Sequence, residues 1–360
     1  MTAKETLVLG LETSCDETAV ALLDGEGRTL ASRVASQEEA HRRFGGVVPE
    51  IAARAHLTNL PPLLDAALAD AGASLGDVTA VAATAGPGLV GALLVGLSEG
   101  KGLALGLGVP FVPVNHIEGH ALSPFLDAGG GPAALVPETF RALVVSGGHT
   151  HVFEFLGRRI ERLARTRDDA AGEAFDKIAK MAGLGYPGGP AVDRLARRGR
   201  AVRPFPVPHF KDGSFDFSFS GLKTAARERL LEMGRAPASG QPGGPSIREE
   251  DAPQGLCDLM ADVEDAIVAQ LLHRLSRLHE RGRAGILTVS GGVAANTFVR
   301  ERVPPWGRSR GVDVLLAGRE LTGDNAVMIA FAGLRRLAAG RLGEGLAAVA
   351  RSRWPLETLE

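Results

Sequence analysis

Short apolar runs interrupted by small polar turns recur along the chain, and their lengths predict β-strands alternating with helices. Residues 7–11 and 19–23 are apolar and flank the polar, acidic turn 12–18, so the opening reads as a β-hairpin. The same form returns at 142–145 and 151–156 around Ser146-Gly147-Gly148-His149-Thr150. A strand, turn and strand at the head of each half predicts an internal duplication of two similar lobes. Further strands are expected at 78–84, 109–114, 286–289 and 312–316. Helical patterns fill 51–59, 63–71, 191–198, 256–279 and 326–337, and glycine-rich turns lead into helices at 85–91 and 290–296. The loose Gly, Pro and Ala segment 127–138 predicts the boundary, giving lobes 1–138 and 139–360, with C-terminal helices free to pack back on the first lobe. Residues 233–253 read as a surface loop, and Phe215, Phe217 and Phe219 alternate as in an extended segment that packs rather than stacks on bases.

Candidate chemistry gathers at the ends of these runs. His116 and His120 follow an apolar run directly, and if Asn115 caps a short helix both imidazoles lie on one face and reach one metal ion. Glu118 does not stand where the H-E-x-x-H pattern places a base. Glu12, Asp16 and Glu17 cluster at the first turn, where carboxylates hold a metal or position a water. Ser146, Gly147 and Gly148 bring backbone N–H groups close to a phosphate, because glycine removes the obstructing side chain. Asp324 reads either as a plain helix N-cap or as a third metal ligand. The acids at 168–176 suit a first helical turn, and Arg194, Arg197, Arg198, Arg200 and Arg203 form the most basic stretch, a candidate contact for a nucleic-acid backbone.

Composition narrows the classes. A chain of 360 residues, 45% hydrophobic and 23% charged, is long enough for two cores. With 40 Lys and Arg against 42 Asp and Glu, no overall basicity advertises a polyanion partner, so any RNA needs a local patch or a helper protein. Cys15 and Cys257 are too few for a disulfide framework or a zinc ribbon, which favours a reducing cytoplasm. The longest apolar run, 89–97, is too short to span a bilayer and no signal-peptide pattern opens the chain, so no membrane partner is expected.

Taken together, the stretches 10–18, 45–50, 84–96, 116–120, 144–150, 168–177, 186–190, 217–224, 290–296 and Asp324-Asn325 resemble the TsaD family of tRNA threonylcarbamoyladenosine synthases, formerly described as O-sialoglycoprotein endopeptidases. The tail at 353–356 resembles the bacterial branch. Ala121, where a larger aliphatic residue is usual, and Gly323, where Thr is common, depart from the pattern without removing a donor atom. The resemblance implies an α/β fold of the two-lobed actin-like ATPase type, each lobe a ribonuclease-H-like mixed sheet flanked by helices. It implies a divalent metal, iron(II) favoured and zinc possible, on His116, His120 and Asp324. It implies also that Val144, Val145, Ser146, Gly147, Gly148, Asp176, Gly189, Asp193 and Asn296 meet the nucleotide part of the substrate.

The activity so implied is transfer of L-threonylcarbamoyl from threonylcarbamoyl-AMP to N6 of the adenosine beside the anticodon. Asp16, Glu17 and Glu12 are then candidates for proton transfer or support. A TsaB-like paralogue, a TsaE-like ATPase and tRNA are the implied partners, and a homodimer is compatible. A metalloprotease would explain the histidines without the glycine turns. A phosphotransferase of the same fold would explain the turns without the ligand set.

Overall fold

The computed structural model describes residues 6–235, 247–282 and 284–359. The first sheet opens with β1 (Leu7–Glu12), β2 (Glu17–Asp24) and β3 (Thr29–Ser36). After α1 (Glu38–Arg42) and α2 (Pro49–Ala71) it is completed by β4 (Ala80–Gly86), α3 (Val90–Leu107) and β5 (Phe111–Asn115). The short α4 (His116–Leu122) leads out, and the second sheet begins with β6 (Thr139–Val145), β7 (Thr150–Leu156) and β8 (Arg159–Arg165). Helices α5 (Ala171–Ala182), α6 (Gly188–Ala196), α7 (Ser220–Glu232) and α8 (Gln254–Arg281) precede β9 (Ile286–Ser290), α9 (Thr297–Arg308), β10 (Asp313–Leu316) and the last helix, α10 (Ala326–Ala338).

The sheets run β3-β2-β1-β4-β5 and β8-β7-β6-β9-β10, the second written from its β8 edge. In each, three antiparallel strands join two parallel ones: β1 pairs antiparallel with β2 and parallel with β4, and β6 pairs antiparallel with β7 and parallel with β9. The two halves therefore share one topology, as the recurring strand-and-turn units predict. This α/β architecture with two mixed sheets flanked by helices is that of the actin-like ATPases. Helices α2 and α3 cover one face of the first sheet, α5 to α9 pack with the second, and α4 with α10 lies between the two sheets.

Several elements differ from the sequence reading for physical reasons. The hairpins are three-stranded meanders, because β3 and β8 are edge strands with largely exposed, charge-bearing faces and no continuous apolar run. The segments 51–59 and 63–71 form one helix, α2, which continues through Pro61 and Pro62 and stops at Gly72 in the left-handed region (φ 62°). Helix α7 escaped notice because its pattern is weakly amphipathic, with only Ala226 and Leu230 buried. Phe217 and Phe219 are fully buried core residues; Phe217 pairs with Thr166 just past β8 in an isolated bridge, its amide donating to the Arg165 carbonyl (2.8 Å). Most of the expected loop 233–253 lies outside the described residues; 249–251 is a short 3-10 turn. The apolar run at 89–97 belongs to an 18-residue helix long and apolar enough by composition to cross a membrane, but α3 buries Ala92, Leu93, Gly96, Leu97, Gly100 and Ala104 against its own sheet and α2.

Candidate metal centre and nucleotide cradle

The histidine pair is positioned by local chemistry. Asn115, the last residue of β5, accepts from the Ile117 and Glu118 amides (2.9 and 3.4 Å) and so caps α4. One helical turn then sets His116 and His120 edge to face, with ring centroids 4.7 Å apart. Asp324 completes the group from the loop before α10: its Oδ1 is 3.1 Å from His120 Nε2 and 3.4 Å from His116 Nε2. One ligand atom from each residue lies within 4.8 Å of the others, a set that could hold a metal ion. The cap of α10 is not Asp324 but Asn325, whose side chain accepts from Met328 N (3.0 Å). Because Asn325 carries that duty, Asp324 is free to face the histidines.

Behind the pair stands Glu12, fully buried at the end of β1. It accepts from the Ser14 amide (2.5 Å), the Thr84 hydroxyl (2.7 Å) and His116 Nδ1 (2.9 Å). A carboxylate that accepts at Nδ1 holds the proton there, so that loss of the Nε2 proton would leave the tautomer a metal ligand requires. Burial disfavours a charged His116, but Asp324 and Glu12 outweigh it and hold the imidazole well above its usual value. Asp324 is buried too, yet His116 and His120 hold it well below the ordinary carboxylate range. Burial depresses His120. The donor set is thus one imidazolium poised on one carboxylate, and a dication in its place would displace that proton. Asp16 and Glu17 sit at the mouth of the same turn; burial, Asp324 and Asp16 push Glu17 up to about 9. Burial, aided by the neighbouring acids, raises the Cys15 thiol, so it is no thiolate nucleophile.

Across from these residues the second sheet offers a cradle. Ser146 bonds back to the His149 carbonyl (2.7 Å), which closes the β6–β7 turn, and a Cβ at Gly147 or Gly148 would meet nothing within 4 Å. Burial, then His151, His116 and His120, bring His149 down to about 3 against the opposing pull of Asp324, so the turn lies within electrostatic reach of the candidate metal ligands. Val144 and Val145 are fully buried, so only their backbone is available to a ligand. Asp176 accepts from the Gly188 amide (2.7 Å) and from Gly189, and burial raises it despite these bonds. Gly188 is tightly packed, 2.7 Å separating the position of a Cβ from Asp176 Cα, whereas Gly189 faces open space. Asp193 takes the amide and hydroxyl of Thr297 (3.1 and 3.0 Å), and Asn296 caps α9 through Val299 N (3.1 Å).

A model of the family described as "TsaD: tRNA N6-adenosine threonylcarbamoyltransferase" matches residues 28–331. The chain belongs to this family. Curated relatives bearing the name tRNA N6-adenosine threonylcarbamoyltransferase include that of Novosphingobium aromaticivorans, 46% identical with 98% of this chain and 96% of the relative covered. That of Sphingopyxis alaskensis is 47% identical over 98% and 96%. Among solved structures, HypF of T. kodakarensis overlays with a TM-score of 0.58 at 14% identity, covering 93% of this chain and 48% of that one. Component A of the (R)-2-hydroxyglutaryl-CoA dehydratase of Acidaminococcus fermentans overlays at 0.51 and 13% identity, covering 92% and 99%. At such identities the structural likeness speaks for the fold alone.

Within this threonylcarbamoyltransferase family frame, the departures at Ala121 and Gly323 cost nothing visible. Ala121 is buried with its carbonyl accepting from Thr288 (3.1 Å), and a side chain at Gly323 would meet open space. The basic stretch is less available than its sequence suggests. Arg194 spends both donors on Glu249 (2.6 and 2.5 Å), Arg198 donates to the Glu249 and Ala252 carbonyls, and Arg203 pairs with Glu232 (2.7 Å). Those partners are distant in sequence, so spacing did not reveal the neutralisation. Arg197 and Arg200 remain exposed. Asp168 lies ahead of α5 and gathers Ser218, Phe219 and Ser220 (2.5, 2.8 and 2.7 Å) rather than serving the helix's first turn. Sequence reasoning missed Glu264, buried on α8, which accepts from the Asn296 amide and lies against Asp193. Its only sequence signal was an acid on an otherwise apolar helix face.

Proposed function

We propose that this chain transfers the L-threonylcarbamoyl group from threonylcarbamoyl-AMP to N6 of the adenosine beside the anticodon of tRNAs reading codons that start with A, releasing AMP. The observation that supports this reading beyond the family relationship is the convergence of His116, His120 and Asp324 within electrostatic reach of His149 in the β6–β7 glycine turn. The exocyclic amine attacks the carbamoyl carbon, the bond from that carbon to the phosphate oxygen breaks with its electrons leaving on AMP, and N6 gives up one proton. The donor is an activated anhydride, so alignment and charge neutralisation suffice without a covalent enzyme intermediate.

In this reading Ser146 and the amides of Gly147 and Gly148 take the phosphate, through the backbone that Val144 and Val145 anchor. Asp176, Gly189, Asp193 and Asn296 flank the nucleoside. His116, His120 and Asp324 hold a divalent ion, iron(II) favoured and zinc possible, which supplies Lewis acidity and orientation to donor oxygens. Glu12 fixes the His116 tautomer. Asp16 and Glu17 are the candidate acceptors for the N6 proton, with burial, Asp324 and Asp16 raising Glu17 to about 9. The target base is splayed from an exposed loop. Lobes divided at 138/139, a cytoplasmic location, and assistance from a TsaB-like paralogue and a TsaE-like ATPase complete the proposal; the near-balanced charge of 40 against 42 speaks for helpers in tRNA binding.

The test is mass-spectrometric nucleoside analysis of tRNA incubated with the donor adenylate and the partner proteins. The intact chain is expected to yield threonylcarbamoyladenosine and the His116→Ala, His120→Ala double variant to yield none. Equal product from both would remove the ligand set from catalysis, and no product from either would end the transferase reading.

A further inference from the structure

Helix α4 has a second face. Opposite the two histidines, Glu118 is buried and pairs with Arg336 of α10 (2.8 Å), whose guanidinium also reaches the Pro113 carbonyl (3.3 Å). This ion pair forms one wall of an open cavity of about 250 Å³, lined also by the β7–β8 turn and the segment before β6. Four arginines line it, Arg158, Arg335, Arg336 and Arg341, against two acids, Glu118 and Glu138. Only Arg336 has a carboxylate partner; among the described residues Arg158, Arg335 and Arg341 make no side-chain hydrogen bond or ion pair, and Arg341 Nε is buried without an acceptor. Burial and the neighbouring Arg341 both disfavour the charge on Arg335, so the two guanidinium groups repel one another in a partly dry place. Like charges held together with donors unspent call for an anion.

We propose that this cavity is a binding site for a phosphate dianion, free or as a small monoester, distinct from the cleft of the metal ligands. Phosphate is favoured over a carboxylate because planar five-donor guanidinium forks match its several oxygens, and three unpaired forks are on hand. The negative end of α10 opposes an anion with about half an elementary charge, which three full positive charges outweigh. At about 30 Å³ of liquid per water the cavity equals roughly eight waters, more than bare phosphate needs and short of the usual drug-sized pocket. Its apolar floor, where Phe140 stacks on Phe155 with centroids 4.4 Å apart, gives a small organic body somewhere to rest. The site lies at the far end of α10 from Asp324 and on the back of the helix carrying His116 and His120. It is independent of the proposed transfer reaction.

The experiment is calorimetric titration of the intact chain with inorganic phosphate and with glycerol 3-phosphate, glycerol serving as the uncharged control. Millimolar or tighter binding of both anions, weakened at least tenfold in Arg335→Gln/Arg341→Gln and unchanged in Gly147→Asp, which sets a repelling carboxylate in the cradle where a Cβ meets nothing within 4 Å, supports the site. Arg335→Lys/Arg341→Lys, which keeps charge and loses the forks, is expected to fall between, and guards against a folding defect in the Gln pair. If the anions bind equally well to the Gln pair, or are lost only in Gly147→Asp, the anion belongs to the glycine cradle and the proposal fails. It fails also if neither anion binds, or if glycerol binds as well as they do.

Discussion

At the residue scale, the arrangement turns on which atom each polar group commits to its neighbours. Glu12, a candidate for proton transfer or support, accepts from Ser14, Thr84 and His116, contacts that suit positioning an imidazole. Glu12→Gln is therefore expected to weaken metal binding by about 10–100-fold while leaving the fold intact, as read by metal titration against a competing chelator. The buried acid Glu264 carries a pH signature. Burial raises it to about 8, so between its ordinary value near 4.5 and about 8 the folded chain holds a proton that the unfolded chain has shed. Stability is then expected to fall as pH rises through that window, and Glu264→Gln to flatten the slope in melting curves taken from about pH 5 to 9. His151 has the opposite sign. Burial with Arg162 and Arg165 lowers it to about 4, so the unfolded state binds the extra proton and stability is lost as pH falls from about 6.5 toward 4. A His151→Gln variant that melts with the same acid dependence would refute this. The residue types at this centre were legible, since a capped helix start with two histidines is a local pattern. Their commitments were not, because Glu12 and Thr84, or Asn296 and Glu264, meet only across the fold.

At the element scale, α10 couples the sheet to the candidate metal ligands. It lies so close to β1 that a Cβ on Gly10 would come within 2.8 Å of Ala330 Cβ and 2.9 Å of its amide. Neither is the far end of a flexible side chain, so Gly10→Ala must push α10 outward. The expected cost is about 1–3 kcal/mol in denaturant unfolding, together with weaker metal binding, because Asp324 enters the site from the loop that α10 anchors. A change in stability without a change in metal affinity would show that the loop holds Asp324 independently. Elements buried on both faces, such as β1 and β4, announced themselves as apolar runs. The edge strands β3 and β8 did not, since an edge needs only one covered face and tolerates charge on the other.

At the scale of the whole molecule, two sheets of one topology enclose α4 and α10, and the ligand set takes its histidines from α4 after the first sheet and its carboxylate from just before the last helix. A metal bound there would tie distant parts of the chain together, so a chelator is expected to lower the melting temperature of the metal-loaded intact chain and leave that of His116→Ala, His120→Ala unmoved. Equal shifts in both would place the stabilising ion elsewhere. What the amino-acid order determined by itself was the repeating strand-and-turn plan, the histidine pair on a capped helix and the glycine turns, because each is a short-range pattern of side-chain size, polarity and backbone freedom. Only the tertiary structure decided that Asn325 caps α10 while Asp324 faces His120, that Arg194 and Arg198 are spent on Glu249 and its neighbours, and that three arginines without an ion pair among the described residues share one cavity. Such assignments depend on which groups meet across tens or hundreds of residues, and there the cost of burying an unpaired polar group, not local propensity, selects the partner.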